Sequence, residues 1–172
     1  SWSSIDYYGN WKALHYMARD FFAPLLISGV EDPKTGAVEV HVTSDLFETT
    51  AGVVHWMLTD TQGKVLASNQ LDCTIAPSAN QKVILLQLAD HLAAHGGRRL
   101  LLWLELLVGG KVVSQNLVSF IRPKHLELQD PELSTRVQKV EAHCFAVTIA
   151  AKHPALWVWP DLPGIKATYS NR

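Results

Sequence analysis

The feature that most constrains this chain is a period-two alternation of apolar and polar residues. In the stretch AVEVHVTSD, Val38, Val40 and Val42 alternate with polar side chains. Successive side chains of a β-strand point to opposite faces, so the alternation predicts a strand with one buried face. Similar strand-like runs follow in GVVHWMLTD, KVLASNQLDCTI and QKVILLQL, and a turn at 60–63 joins the first two.

A second signal is a β-hairpin centred on Gly109 and Gly110. The runs RRLLLWLELLV and KVVSQNLVSFI flank these glycines, which can take the positive φ of a two-residue turn. Upstream, the short stretch ADHLAAHGG predicts one or two helical turns ended by Gly96 and Gly97. Strands joined by hairpins rather than by crossover helices predict an antiparallel two-sheet sandwich over residues 25–125.

One amphipathic helix is predicted before the sandwich. Asn10 is its predicted N-cap and Pro24 lies just beyond its end. Large apolar side chains on a lone helix would remain exposed to water, so we expect the stripe to pack on a body that precedes it. The stripe consists of Trp11, Leu14, Ala18 and Phe21.

A linker and a second β region are predicted after the sandwich. The stretch RPKHLELQDPELS contains Pro123 and Pro131 and has little periodicity. The stretches TRVQKVEAHCFAVTIAA and LWVWPDLPGIKATYS then return to a β pattern. These few strands are not enough to close a sandwich. Residues 126–172 are therefore interpreted as a linker and the front of a second, truncated sandwich.

Charge and hydropathy exclude two classes of partner. Fifteen Lys and Arg residues against sixteen Asp and Glu give a formal net charge of -1, so no excess positive potential is available for nucleic acid. The apolar runs at 83–88 and 100–108 are too short to span a membrane, and we expect a soluble chain of unknown compartment. Cys73 and Cys144 lack ligand spacing and are interpreted as half-buried thiols.

Two stretches carry a resemblance to a known family. SWSSIDYYGNWKALHY, followed by FFAPL, resembles the end of the catalytic (β/α)8 barrel in glycoside hydrolase family 2, and its WKALHY hexamer is most similar to the β-mannosidases. LWVWPDLPGIKATYSN is similar to a downstream stretch of the same enzymes. The resemblance implies that residues 1–24 are the last loop and helix of the barrel. It also implies an immunoglobulin-like sandwich at 25–125.

The resemblance also implies a function for the larger protein. The parent would be a retaining exo-β-mannosidase that releases terminal β-mannose from oligosaccharides, and this chain would buttress its barrel. Such enzymes use two carboxylates, which in this family lie on earlier barrel strands. None of the seven glutamates here maps onto them, so we expect no catalytic residue and no glycosidase activity in the chain alone. These glutamates are Glu31, Glu39, Glu48, Glu105, Glu127, Glu132 and Glu141.

Aromatic residues supply the candidate binding sites. The resemblance places Trp2, Tyr7 and Tyr8 in a loop near the barrel's active-site face, where they either lie near the sugar or pack the rim. Trp157 and Trp159 are predicted to share one strand face and are candidates for stacking on sugars. Trp56 and Trp103 lie in strand-like runs and are predicted to be core residues. The exposed aromatic residues are candidates for a homodimer contact.

Other polar groups have weaker patterns. His91 and His95 are spaced i, i+4, but neither an adjacent glutamate nor a third ligand accompanies them, so we predict no metal site and no cofactor. A nucleophile set drawn from Ser3 or Ser4 with Asp6 and His15 lacks a pattern that would position a third partner.

Three interpretations of function remain open at the level of sequence. The chain is either a region of the enzyme described above or a stand-alone carbohydrate-binding or adhesion sandwich, because Trp and Tyr faces stack on sugar rings. A third reading keeps the family and changes the substrate to a β-galactoside, β-glucuronide or β-glucosaminide.

Overall fold

The computed structural model describes residues 3–162, 165 and 167–169, and the chain is mainly β over this part, as predicted. Short 3-10 turns occupy Gly97–Arg99 and Pro123–His125. The helices are α1 (Ala13–Phe21) and α2 (Ala89–His95). The strands are β1 (Leu25–Asp32), β2 (Ala37–Ser44), β3 (Thr50–Asp60), β4 (Val65–Ile75), β5 (Ala79–Gln87), β6 (Leu100–Val108), β7 (Lys111–Ser119), β8 (Ser134–Glu141) and β9 (Cys144–Ala150).

Two antiparallel sheets form the sandwich. One has the strand order β1-β2-β5 and the other β4-β3-β6-β7. The predicted hairpin is confirmed: β6 and β7 pair in antiparallel register, and Gly109 and Gly110 have φ of 57° and 74°. A two-residue turn of this kind needs positive φ at both positions, which glycine adopts without steric cost.

The core lies between the inward faces of the two sheets. The alternation Val38, Val40, Val42 faces inward, and all three side chains are fully buried. Leu58 of β3 and Leu104 of β6 meet them from the opposite sheet and are equally buried. Burying one aliphatic side chain of this size contributes roughly 1.5–3 kcal/mol, so this layer supplies the main driving force for folding.

Strand β1 joins the two sheets. It pairs with β2 on one side, and on its other side Ile27 N–H donates to Ser114 Oγ at 3.0 Å and Gly29 N–H to Asn116 Oδ1 at 3.3 Å. Ser114 and Asn116 belong to β7, at the edge of the other sheet. Side chains thus satisfy backbone donors that an open edge would leave unpaired.

The helix α1 begins later than the sequence predicts. Its N-cap is Lys12, which makes no side-chain capping bond, and the prediction of Asn10 as N-cap is wrong. The Asn10 amide instead donates to the Asp6 carboxylate at 2.8 Å. This charge-assisted bond holds the Asn10 side chain against Asp6, two residues before the N-cap position, and its amide oxygen has no protein partner.

The second β region shows two strands in the described part of the chain. Strands β8 and β9 form an antiparallel hairpin whose residues are all exposed. The strand predicted within 156–170 is absent from the described residues there. Pro154 and Pro160 restrict the backbone on both sides, and Trp157 adopts a left-handed φ of 54°, which interrupts any alternation.

The two cysteines differ in environment. Cys73 is half-buried as predicted, and burial raises the pKa of its thiol, with a further contribution from the neighbouring Asp72 carboxylate. Cys144 is exposed, so its predicted burial is wrong. It lies in β9, whose faces nothing in the described chain covers.

Replacing Gly29 tests the close approach of the two sheets. A Cβ built on Gly29 would lie 2.4 Å from Val118 Cγ2 and 3.0 Å from Leu104 Cδ1. We expect Gly29→Ala to lower the free energy of unfolding by about 1–3 kcal/mol through overpacking, measured by urea denaturation. The exposed neighbour Val30→Thr is the control and should change stability by less than about 0.5 kcal/mol. Equal stability of both variants would contradict the close approach.

Replacing Ser114 tests the bond that joins β1 to β7. Ser114→Ala leaves the fully buried Ile27 amide without its side-chain acceptor. We expect the free energy of unfolding to fall by about 1–3 kcal/mol, the cost of an unsatisfied buried donor. Ser68→Ala, at an exposed position of β4, is the matched control. An Ser114→Ala variant as stable as this control would show that β1 is held by other contacts.

Candidate functional site

The segment from Ser4 to Lys12 forms a closed loop directly before α1. Ile5 and Trp11 face each other in an antiparallel bridge, and Lys12 N–H donates to the Ser4 carbonyl at 3.0 Å. Two backbone contacts at the base of a loop this short hold its ends together. We call residues 4–12 the Asp6 loop, after the side chain that organises its interior.

The Asp6 carboxylate holds the interior of this loop. Its Oδ1 accepts the backbone N–H groups of Tyr8 and Asn10, both at 2.8 Å, and its Oδ2 accepts the Asn10 side-chain amide. These bonds, the Asn10 side-chain bond foremost, hold the pKa of the Asp6 carboxyl below its ordinary value. Sequence reasoning missed this role. The turn-forming pattern of Asp6 three residues before Gly9 was the available signal.

Tyr7 and Tyr8 lie at the tip of the Asp6 loop. Their exposed fractions are 96% and 78%, and their ring centroids lie 5.4 Å apart at an edge-to-face angle of 86°. The loop thus presents two large aromatic faces to its surroundings from a hydrogen-bonded base. Trp2, predicted to belong to the same site, lies outside the described residues.

The structure brings together part of the nucleophile set considered from the sequence. Ser4 Oγ lies 3.2 Å from His15 Nδ1, and the His15 ring packs on Trp11 with centroids 4.5 Å apart. The Asp6 carboxylate is occupied by the loop amides described above. The Ser4–His15 pair therefore links the loop to α1. Asp6 bonds to the loop amides and not to His15, so these three residues do not form a catalytic triad.

The four tryptophans of the strand-like runs have different surroundings. Trp56 packs against the sandwich core, as predicted, and its Nε1 is buried with no protein acceptor. Trp103 lies on the opposite face of its sheet and is half-buried, so its prediction as a core residue is wrong. Its Nε1 donates to Thr59 Oγ1 at 2.9 Å. Trp157 and Trp159 are 58% and 40% exposed but share no strand face, because no strand forms there.

Trp159 and Tyr16 meet in an aromatic cluster that sequence reasoning did not foresee. Tyr16 of α1 lies between the rings of Trp11 and Trp159, at centroid distances of 5.4 and 5.2 Å. Tyr169 completes the cluster at 5.8 Å from Tyr16 and 5.5 Å from Trp159. We call Trp11, Tyr16, Trp159 and Tyr169 the aromatic cluster.

The glutamates with shifted pKa values are engaged in ordinary pairing. Glu105 accepts from His55 and Gln115, Glu39 pairs with His41 and Lys82, and Glu127 with Arg98 and Arg99. Their distances run from 2.6 to 3.2 Å. Hydrogen bonds from the His55, His41 and Arg99 side chains, respectively, contribute most to lowering the three pKa values. A glycosidase general acid needs a raised pKa, so these three carboxyls are poorly suited to that role.

Within the described residues, neither metal-binding groups nor grooves indicate a second site. Among the described residues, no three His, Cys, Asp or Glu side chains are grouped closely enough to hold a metal ion. The His91 and His95 rings stack with centroids 6.4 Å apart.

A groove of about 440 Å³ lies between Gly63 and residues 149–158, and the described residues that line it include no carboxylate. A groove of about 530 Å³ beside Gly52 and Leu107 holds one carboxylate, Asp72.

The two described α-helices are also unsuited to crossing a bilayer. Neither α1 nor α2 has the length and hydropathy that such a crossing requires.

Nearly the whole chain is similar in sequence to known mannosidases. Residues 36–125 match the family described as mannosidase Ig/CBM-like domain, and residues 128–172 match an Ig-fold domain of mannosidases. The beta-mannosidases A of Neosartorya fischeri and Aspergillus fumigatus are each 31% identical over 95% of this chain. The chain spans only 19% of the length of these relatives.

A solved structure agrees with the fold. The crystal structure of beta-D-mannosidase from Dictyoglomus thermophilum matches 94% of this chain and 19% of its own, with a TM-score of 0.78 and 23% identity. The immunoglobulin-like architecture and the resemblance to the β-mannosidases of glycoside hydrolase family 2 are thereby confirmed. This chain belongs to the mannosidase Ig/CBM-like domain family.

Proposed function

We propose that this chain is a non-catalytic, buttressing region of a retaining exo-β-mannosidase of glycoside hydrolase family 2. The observation that carries the proposal is the similarity to β-mannosidases over 95% of the chain, within only 19% of their length. The remainder of such an enzyme has ample length for a catalytic domain. Its substrate would be a terminal β-mannoside of an oligosaccharide.

The proposed division of the chain has three parts. Residues 1–24, with the Asp6 loop and α1, are the last loop and helix of a catalytic barrel. Residues 25–125 are the immunoglobulin-like sandwich, whose extent is supported by the two sheets from Leu25 to Ser119. Residues 126–172 are a linker and the front of a second sandwich, which β8 and β9 support.

The exposed face of α1 supports contact with a barrel. Leu14, Met17 and Phe21 are 50%, 40% and 47% exposed and recur at helical spacing. A stripe of this kind is unfavourable in water and typical of a helix that packs against another body. We propose that the catalytic barrel of the same polypeptide covers it. A homodimer contact is the competing use of the exposed aromatic side chains.

The aromatic residues of the Asp6 loop are the proposed sugar-proximal group. Tyr7 and Tyr8, with Trp2 before them, would contribute to the rim of the sugar pocket of the whole enzyme. The exposure of both tyrosines and the rigid base of their loop support this role. Trp157 and Trp159 are the further candidates for sugar stacking. Trp157 has the more exposed ring of the two.

The activity test compares the chain with the longer protein that contains it. We expect the longer protein to hydrolyse an aryl β-mannoside, while the purified chain gives no turnover above a mock preparation, because the catalytic carboxylate pair is supplied elsewhere. The same assay with β-galactoside, β-glucuronide and β-glucosaminide substrates determines which sugar the longer protein prefers.

Three results would contradict parts of this proposal. Turnover by the isolated chain would show that it holds its own catalytic groups. Faster turnover of another glycoside would assign a different substrate. Quenching of tryptophan fluorescence in the isolated chain by mannobiose would favour an independent carbohydrate-binding module.

Tyr7→Ala and Tyr8→Ala test the sugar-proximal loop in the longer protein. An aromatic contact contributes about 0.5–1.5 kcal/mol, so losing one should raise KM for the aryl β-mannoside about 2- to 12-fold with little change in kcat. Phe47→Ala is the matched control, because Phe47 is 91% exposed on a loop of the sandwich. A KM equal to that of the control in both tyrosine variants would place the pair away from the sugar.

A further inference from the structure

The aromatic cluster contains the one buried side chain of α1. Tyr16 is 5% exposed, whereas every other residue of Ala13–Phe21, all of them described, is exposed or half-buried. The rings of Trp159 and Tyr169, from the end of the chain, pack on Tyr16. The terminal segment, by which we mean the described residues 157–162, 165 and 167–169, therefore supplies much of the cover that buries Tyr16.

Two hydrogen bonds fix the terminal segment in this position. The Tyr169 backbone N–H donates to Tyr16 Oη at 3.1 Å, across 153 positions of sequence. The Tyr169 hydroxyl donates to the Pro160 carbonyl at 3.1 Å, which folds the segment back on itself. The backbone N–H and the side-chain hydroxyl of Tyr169 are therefore both fixed by hydrogen bonds. Because hydrogen bonds are directional, they restrict the orientation of Tyr169 more than ring packing alone would.

The cluster is continuous with the Asp6 loop. Trp11 packs on Tyr16 from within the cluster and also forms the bridge with Ile5 that closes the loop. His15, one residue before Tyr16, lies 3.2 Å from Ser4 Oγ at the start of the loop. An unbroken series of contacts thus runs from Trp159 through Tyr16 and Trp11 to the base of the loop that carries Tyr7 and Tyr8.

The buried and exposed faces of α1 point in different directions. At 100° per residue, Tyr16 lies roughly 130° around the helix from the centre of the Leu14, Met17 and Phe21 stripe. The terminal segment covers the first face and leaves the second free for the proposed barrel. The helix can therefore be held from two sides at once.

We infer that Trp159 is a positioning residue for the Asp6 loop. Through Tyr16 and Trp11 it braces the loop that carries Tyr7 and Tyr8. The second immunoglobulin-like region of this chain thereby orders the aromatic side chains of the Asp6 loop. The bracing is a property of this chain. Its consequence for substrate rests on the proposed function above.

Hydrogen exchange on the purified chain tests the bracing directly. We expect Trp159→Ala to raise the exchange rates of the amides in residues 4–12 about 2- to 12-fold, as loss of one aromatic contact would. Trp159→Phe, which keeps a ring at the position, should restore slow exchange. Trp157→Ala is the matched control, because Trp157 is two residues away and makes no ring contact with the aromatic cluster among the described residues. Exchange in β3 and β6 reports whether the sandwich remains folded.

A second variant covers the case in which Trp159→Ala perturbs the whole chain. Tyr16→Phe removes the acceptor of the Tyr169 N–H and leaves the ring. It should loosen residues 4–12 by a smaller factor with the sandwich unchanged. Equal exchange of residues 4–12 in the Trp159→Ala, Tyr16→Phe and Trp157→Ala variants would overturn the inference.

Kinetics of the longer protein separate this inference from the proposed function. Tyr16→Phe, which leaves the ring of the stacking candidate Trp159 in place, should raise KM for the aryl β-mannoside in parallel with its faster exchange, and Phe47→Ala should not. Faster exchange with unchanged KM would confirm the bracing and reject the sugar-proximal placement of Tyr7 and Tyr8. Unchanged exchange would reject the bracing whatever the activity of the longer protein.

Discussion

The packing of one sheet on the other through fully buried aliphatic side chains is the interaction on which the rest of the structure depends. Val40 from one sheet and Leu58 and Leu104 from the other belong to a single hydrophobic cluster, and all three side chains are fully buried. Gly29 permits the close approach of the sheets at β1, since a side chain there would overlap Val118. The Ser114 bond to β1 then fixes the edge at which the two sheets meet.

This sandwich is a platform for two flanking regions that are held in different ways. The linker after it is tied back by polar contacts: Glu127 pairs with Arg98 and Arg99, and its backbone N–H donates to the Arg98 carbonyl at 2.9 Å. The N-terminal helix and the terminal segment are instead joined through aromatic packing around Tyr16. Exposed ion pairs contribute little to stability, whereas ring packing excludes water, so the aromatic cluster is the stronger of the two connections.

A buttressing role agrees with where the polar groups of the chain are used. The carboxylates of Glu39, Glu105 and Glu127 are each engaged by a cation or an amide. Asp6 is engaged by its own loop. These carboxylates are thus engaged in local contacts. The exposed aromatic surfaces are then the features of this chain that could contact the rest of a larger enzyme.

Predictions succeeded where short-range chemistry decides the outcome. The Gly109-Gly110 hairpin, the β2 alternation and the short helix ended near Gly96 form as expected, because each depends on backbone freedom or on the pleat of one strand. The N-cap prediction failed at Asn10, whose side-chain amide donates to the Asp6 carboxylate and is held within the loop before the helix. The strand predicted around Trp157 failed because a strand needs a partner edge, which a local pattern cannot supply.

The sequence by itself determined the mainly β architecture, the sandwich and its hairpins, and the family to which the chain belongs, since these follow from alternation, turn glycines and short motifs. It also singled out Tyr7 and Tyr8. Only the tertiary structure decided that Asp6 organises their loop and that Tyr16 meets Trp159 and Tyr169. The physical reason is distance along the chain: contacts across as many as 153 positions depend on how the sandwich places both ends of the chain, and no local pattern encodes that.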